Sequence, residues 1–458
     1  MTKPLKITLI SIGGIVAILL LAFLYLAFDG SSRLNMLRHR LFSKPDDYIK
    51  EEVIPARRGR ILAVDGSTLV ESVRRYDIFM DCCVVEDEDK WAEESRALSQ
   101  EIALVLPTRS APEWWTYFQN ARQKGNKYIP IVKDIDWPMK DSLAKLPLFR
   151  EGQFAGGFIA EHYYARVYPY DSLARRTLGH ALWKAPGIGI KGRYDATLSG
   201  VNGKRTVKYG IRKGMRRHWE IGHVDPIPGY DVRTTLDMGL QAKADSALRM
   251  AIGPDETLYA GCLVLMDVKT GAIKAIVNLN RTEDGRLKEN YNYTIGRSYE
   301  PGDVTSNITR ETMLPDTLDF DIVGLREAKL DSSGSWTLTP LHVLTFYNTL
   351  ANGGKMMKPY LVERLEPSSG KQADIVQYGP KVLKEGIPFQ ETIGRLTRWT
   401  DVKFPVTGKK DDATFAGFFP ADAPQYSIVC TIFTDTKAKP AHGGDIPAKV
   451  VKDVINAL

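Results

Sequence analysis

Residues Ile7 to Phe28 form an unbroken run of 22 positions without a charge, bounded by Lys3 and Lys6 before it and Asp29 after it. Such a run is long enough to span a bilayer as one helix, and it exceeds the roughly 7–15-residue apolar region of a cleavable signal peptide, so the pattern predicts an uncleaved anchor. Beyond it the pattern becomes that of a folded domain. Arg33 to Lys50 is polar and basic and suits a short connecting helix or linker. The apolar runs Ile61-Leu62-Ala63-Val64 and Leu69-Val70 flank Asp65-Gly66 and predict a hairpin. Asp231 to Asp237 reads as extended and leads into a helix with Leu240, Ala244 and Leu248 on one face. Cys262 to Val268 and Ala272 to Val277 predict two strands around Lys269-Thr270-Gly271. Thr339-Pro340 supplies an N-cap and a first-turn proline for a helix through Asn352, which Gly353-Gly354 ends. Tyr426 to Phe433 predicts a last strand. Pro447 to Leu458 predicts a terminal helix with Val450, Val451, Val454, Ile455 and Leu458 facing inward.

The 458 residues, 43% hydrophobic and 26% charged, suffice for two or three folded domains. A net charge of +7 permits an anionic partner such as a lipid surface without requiring one. Arg33, Arg38, Arg40 and Lys44 follow the apolar run and compete with the short basic amino terminus, so charge leaves the orientation of the anchor open. Only four cysteines occur, and the adjacent Cys82-Cys83 could not form an ordinary disulfide with each other, so this is not a disulfide framework. Cys262 and Cys430 sit in strand-like apolar runs and read as buried free thiols. The seven histidines are scattered, with no Cys/His cluster at metal-ligand spacing, and no metal or cofactor is expected. Lys204 to Arg217 carries seven basic residues in fourteen and no acid. This composition fits a nucleic-acid patch or a solvated pair of strands turning at Gly210.

An ordered set of motifs resembles the class B, division-type penicillin-binding proteins. Arg58-Gly59-Arg60-Ile61 with Asp65 is similar to the segment that opens the family's pedestal. Tyr168 to Gly179 resembles its Ala-x-x-x-Gly segment, and Gly187 to Gly200, with Tyr194-Asp195 and Leu198, resembles a signature whose glutamate is Lys191 here. Thr234-Thr235-Leu236-Asp237 with Leu240-Gln241 is similar to the family's inter-domain joint. Leu338-Thr339-Pro340, Tyr347, Ala351-Asn352 and Gly354 match one of its transpeptidase helices, and Val406 to Asp422 matches its last sheet strands.

Family members carry Glu-Pro-Gly followed by Ser-x-x-Lys, in which the serine attacks an acyl group and the lysine, one helical turn on, accepts its proton. This chain has Glu300-Pro301-Gly302 followed by Asp303, with Ser306 three residues later. Neither restores the pair: a carboxylate would form a mixed anhydride, and a hydroxyl is no base at neutral pH. The family's Lys-Thr-Gly strand reads Lys409-Lys410-Asp411, and Asp411 and Asp412 place carboxylates where an anionic substrate end would lie. Between Gly302 and the helix at Thr339 only thirty-six residues remain, Asp303 to Leu338, so most of the family's helical subdomain with its Ser-x-Asn is expected to be missing. Ser142-Leu143-Ala144-Lys145, Ser368-Ser369-Gly370-Lys371 and Lys269-Thr270-Gly271 match the short catalytic patterns in the wrong contexts.

The resemblance implies an α+β chain: a cytoplasmic tail (1–6), a transmembrane helix (7–28), a β-rich pedestal (29–252) and a shortened penicillin-binding transpeptidase-like domain (253–458) of antiparallel sheet with flanking helices. It implies single-pass placement in the bacterial cytoplasmic (inner) membrane with the bulk outside. There the chain would meet cell-wall synthesis or division proteins, namely an active transpeptidase or glycan polymerase, with peptidoglycan as a further ligand and nucleic acid excluded. The degenerate positions Asp303, Ser306, Lys409, Lys410 and Asp411 imply a scaffolding or regulating role. The rivals are an active D,D-transpeptidase with a displaced nucleophile and a decayed gene product.

Overall fold

The computed structural model describes residues 48–179, 187–212, 215–300, 320–330, 332, 334–368, 375–394, 397–399, 402–404, 412–434 and 445–458. The predicted anchor at 7–28 lies outside them, and among the described residues no helix is long and apolar enough to cross a membrane. The chain divides into two compact units, Val70–Pro169 and the remainder.

β1 (Tyr48–Ile54) opens the larger unit, so the expected linker ends before Tyr48. β2 (Ile61–Leu62) follows, and the chain reverses at Asp65-Gly66 as predicted: Gly66 takes φ +90°, and Ala63 N–H donates to the Ser67 carbonyl at 2.9 Å. β3 (Thr68–Met80) then carries the chain into the smaller unit.

In Val70–Pro169, β3 pairs antiparallel with both β4 (Ile129–Ile135) and β5 (Phe158–Val167). α1 (Glu88–Val105) starts where the Asp87 carboxylate accepts the Asp89 and Lys90 N–H groups, and α2 (Ala111–Gln123) starts at a Ser110–Glu113 capping box with Pro112 in its first turn. Trp91, Leu98 and Ile102 recur at helical spacing and meet Trp114 and Phe118 of α2 in one buried core with Ile78 and Met80. Each such side chain stabilises the unit by about 2–3 kcal/mol when removed from water. α3 (Trp137–Ala144) takes up Ser142, whose hydroxyl donates to the Pro138 carbonyl at 3.0 Å.

Back in the larger unit, β6 (Gly203–Arg212) and β7 (Met215–Val224) form a hairpin on which β1 lies as third strand. The turn was expected at Gly210, yet Gly210 pairs with Arg217 and Arg212 with Met215, so the chain reverses between Arg212 and Met215. Ladder register overrides the local preference of glycine for a turn. β8 (Tyr230–Thr234) runs parallel to β2, and Asp237 caps α4 (Met238–Ile252) by accepting from Gly239 and Leu240 N–H.

The sheet that follows is antiparallel throughout. β9 (Leu258–Asp267) and β10 (Ile273–Arg281) form the predicted hairpin, with Gly271 at φ +79°. Its order is β11 (Leu287–Lys288), β10, β9, β16 (Tyr426–Thr434), β15 (Asp412–Phe419), β14 (Val402–Phe404) and β13 (Thr397–Trp399). Side chains alternate between its faces. Leu263, Leu265, Val277, Cys430 and Ile432 meet Ala244, Leu248 and Ile252 of α4 and Val450, Val451 and Val454 of α7 (Asp445–Asn456). The helix expected on the pedestal side of the joint therefore packs on this sheet. α7 corrects one further expectation, because Leu458 is 49% exposed beyond its last turn. α5 (Tyr293–Gly296) and α6 (Pro340–Ala351) contact β9 as well. α6 is buried along nearly its whole length, from the Thr339 cap to Leu350, and is tied to the sheet by Asn348 Nδ2 donating to Val268 O at 3.1 Å and by Ser427 Oγ donating to Asn348 Oδ1 at 2.7 Å. β12 (Val362–Pro367) pairs with β8.

Candidate functional site

Tyr299 fixes the approach to the Glu300-Pro301-Gly302 motif. Its backbone exchanges two hydrogen bonds with Leu338, both 2.9 Å, and its phenol is buried within a triangle of hydroxyls: Thr414 donates to it at 3.0 Å, Thr431 lies 3.2 Å away, and the two threonines are 3.1 Å apart. Burial holds the phenol far above its ordinary pKa, against the smaller lowering by both threonines, so it is neutral at any physiological pH. Phe433 packs against its ring edge-to-face at 6.0 Å.

Asp303, Ser306, Lys409, Lys410 and Asp411 all lie outside the described residues. What the fold does bring together is their flanks. Tyr299 and Thr414, 115 residues apart, are in hydrogen-bonding contact. Asp412, expected to face a substrate, is the first residue of β15 and lies 3.9 Å from the Arg297 guanidinium. Arg297 also sits over the Phe433 ring at 5.7 Å.

Beside this junction is an open pocket of about 340 Å³ lined by Tyr259, Tyr291, Tyr293, Arg297, Ser298 and Arg326, with Gly296 at its edge. Tyr291 and Tyr293 meet edge-to-face at 5.0 Å. Burial pushes the Tyr293 phenol up to about 12, so it is no base. The lining offers two cations, aromatic walls and hydroxyls, which suits binding; among these residues there is no carboxylate, lysine or histidine to activate Ser298. The thiols are equally inert: Cys262 is pushed up to about 12 by burial, and Cys430 well above its ordinary value. No group of side chains among the described residues could hold a metal ion.

Sequence reasoning missed a second buried polar group. Glu289, 7% exposed, accepts the Asn278 N–H at 3.2 Å and the Arg176 N–H at 3.1 Å, and so ties the Tyr168–Gly179 segment to β10. Burial drives its carboxyl up to about 8 against the lowering by those two donors. A lone glutamate in a polar stretch carries no sequence signal for this. Gln241 belongs to the joint motif, and its amide closes a two-way pair with the Ile276 backbone at 2.9 and 2.8 Å.

Residues 53–186 match the family model of the penicillin-binding protein dimerisation domain, and residues 314–394 match that of the penicillin-binding protein transpeptidase domain. A chain from a peptidoglycan synthase complex, solved to show the structural coordination of polymerization and crosslinking, superposes with a TM-score of 0.67 at 16% identity over 99% of this chain and 98% of that one. Penicillin-binding protein 2X from Streptococcus thermophilus superposes with a TM-score of 0.66 at 15% identity over 89% and 79%. The fold is thus a mixed α+β fold of the penicillin-binding type. In sequence, penicillin-binding protein PbpB of Mycolicibacterium smegmatis is 28% identical over 155 residues, 31% of this chain and 23% of PbpB. Peptidoglycan D,D-transpeptidase MrdA of Acinetobacter baumannii is 28% identical over 132 residues, 25% of this chain and 18% of MrdA. The matched stretches span less than a quarter of either relative. The two family matches, the fold and the sequence relatives together support a class B penicillin-binding protein.

Proposed function

We propose that this chain is a membrane-anchored, non-catalytic penicillin-binding-protein homologue that scaffolds or regulates peptidoglycan synthesis or cell division. Residues 7–28 serve as the anchor, 29–252 as the pedestal, whose last helix α4 packs on the sheet that follows, and 253–458 as a shortened transpeptidase-like domain. The observation that carries the reading is the Tyr299–Leu338 bridge. It closes off residues 300–337, and in that short stretch Asp303 and Ser306 stand where the family's serine and lysine belong. Across the junction, Lys409-Lys410-Asp411 replaces the Lys-Thr-Gly whose backbone and hydroxyl hold a substrate carboxylate. The described sheet and α6 are well packed, which suits a domain that presents surfaces.

The partner in this reading is an active transpeptidase or a glycan polymerase on the outer face of the cytoplasmic membrane. Support comes from the similar chain that sits in a peptidoglycan synthase complex, and from the similar penicillin-binding protein of Helicobacter pylori solved in complex with MreC (TM-score 0.55, 14% identity). The test is the intact mass of the detergent-solubilised full chain after incubation with a penicillin. We expect no change. A stoichiometric acyl adduct that disappears when one serine is replaced by alanine would instead establish a displaced nucleophile.

A further inference from the structure

The pocket of about 340 Å³ gathers three tyrosines and two arginines from separate stretches of the chain. Tyr259 enters from the start of β9, Tyr291 from the approach to α5, Tyr293 from its first residue, and Arg297 and Ser298 from the chain just after it. Arg326 is held beside them through its backbone N–H, which donates to Ile295 O at 2.9 Å. The aromatic wall is braced: Tyr293 stands edge-to-face to Tyr291 at 5.0 Å and packs on Phe433 at 5.2 Å, while the Tyr291 hydroxyl donates to Gly296 O. A Cβ at Gly296 would stand 2.5 Å from that hydroxyl, so the bare backbone is what lets the tyrosine close down here. The lining carries two cations and no carboxylate. Asp412 approaches Arg297 only to 3.9 Å, too far for a hydrogen bond, so this contact uses none of the guanidinium's donors.

We propose that this pocket binds a sugar ring that carries a carboxylate. The guanidinium groups of Arg297 and Arg326 match a carboxylate through paired, charge-assisted hydrogen bonds. Tyrosine offers the rest of the ligand an apolar face for the C–H side of a pyranose and a polar tip for its hydroxyls, to which Ser298 adds another. The Tyr293 phenol, pushed up to about 12 by burial, stays neutral and sets no negative charge against the ligand. The volume lies at the small end for ligand pockets and suits one substituted ring, and the open mouth lets a longer glycan continue outward. A peptide carboxylate fits less well. An extended peptide is held by a free strand edge, and β9, which supplies Tyr259, is paired on both sides, with β10 and with β16. Binding here requires neither a membrane anchor nor an acyl-accepting side chain, so it stands apart from the function proposed above.

The test is a ligand-observed NMR titration of the detergent-solubilised full chain with glucuronic acid, N-acetylmuramic acid, N-acetylglucosamine and acetate. At least one of the two acidic sugars should bind about tenfold or more tightly than both the neutral sugar and acetate, and the tighter of the two identifies the source, a uronic acid or a lactyl-bearing hexosamine. The gain should disappear in the double variant Arg297→Gln, Arg326→Gln. Both side chains are exposed, so thermal unfolding should match the parent. Should the double variant unfold, Arg326→Gln alone decides, with an expected loss of about threefold or more for the acidic sugar. Equal affinity for acidic and neutral sugars overturns the proposal, as does acetate binding as tightly as either acidic sugar. Absence of saturable binding overturns it too, and so does an acidic sugar held equally well by parent and variants, which would place the site elsewhere.

Discussion

Replacing Glu289 by glutamine should change how stability depends on pH. The carboxyl has a reference value of 4.5 and is raised to about 8 by burial in the folded chain. At pH 4 and below both states hold the proton, and the shift has no effect. Between 4.5 and 8 the unfolded chain releases the proton while the folded chain keeps it, so the native state binds more protons and stability falls as pH rises. Above 8 both states are ionised and the penalty is constant. The ceiling on this loss is about 5 kcal/mol, from about 1.4 kcal/mol per pKa unit. Glutamine keeps the shape, and, like the protonated acid, sets one donor group against one of the two backbone N–H groups that now bond Glu289. Glu289→Gln should thus match the parent within about 1 kcal/mol at pH 5 and exceed it by up to several kcal/mol at pH 8.5. Denaturant titrations of both proteins at pH 5, 6.5 and 8.5 measure the difference, and the other titrating groups cancel between them. Parallel curves across this range would refute a raised Glu289 carboxyl.

Tyr299→Phe removes a phenol from the hydroxyl triangle but leaves Thr414 and Thr431 bonded to each other, so it should cost only about 1 kcal/mol, against about 3–5 kcal/mol for Tyr299→Ala; equal losses in chemical denaturation would argue against the triangle. Gly59→Ala would set a Cβ 1.8 Å from the Tyr230 carbonyl oxygen, on a strand connection that also uses the Gly59 N–H, and should lower stability by more than about 3 kcal/mol or abolish soluble expression. A thiol reagent at pH 8 should label Cys83 in the native chain and reach Cys82, Cys262 and Cys430 only in denaturant; rapid native labelling of a second cysteine would contradict their burial.

Much of the fold was written locally. The Thr339-Pro340 start and the Gly353-Gly354 stop act within a turn of the helix they bound, so α6 falls where the pattern put it. Asp65-Gly66 and Thr270-Gly271 each confine a reversal to a few dihedrals, and Asp237 caps α4 through its own neighbours. The order of motifs likewise led to the family without any coordinates. Asp303, Ser306, Lys409, Lys410 and Asp411 were read as substitutions from the sequence alone, and that reading remains an expectation.

Tertiary structure decided whatever depends on residues far apart in the chain. That β16 lies beside β9, joining Cys430 to Leu263 across the sheet, follows from packing two apolar faces at once, which no local window contains. The same holds for the hairpin that passes Gly210 and turns beyond Arg212, for Leu458 left in solvent past the last contact of α7, and for Asp412 drawn to Arg297. Glu289 and Tyr299 show the reason most plainly. A polar side chain can be buried only where distant backbone or hydroxyl groups converge to satisfy it, and that convergence is a property of the folded chain rather than of its sequence.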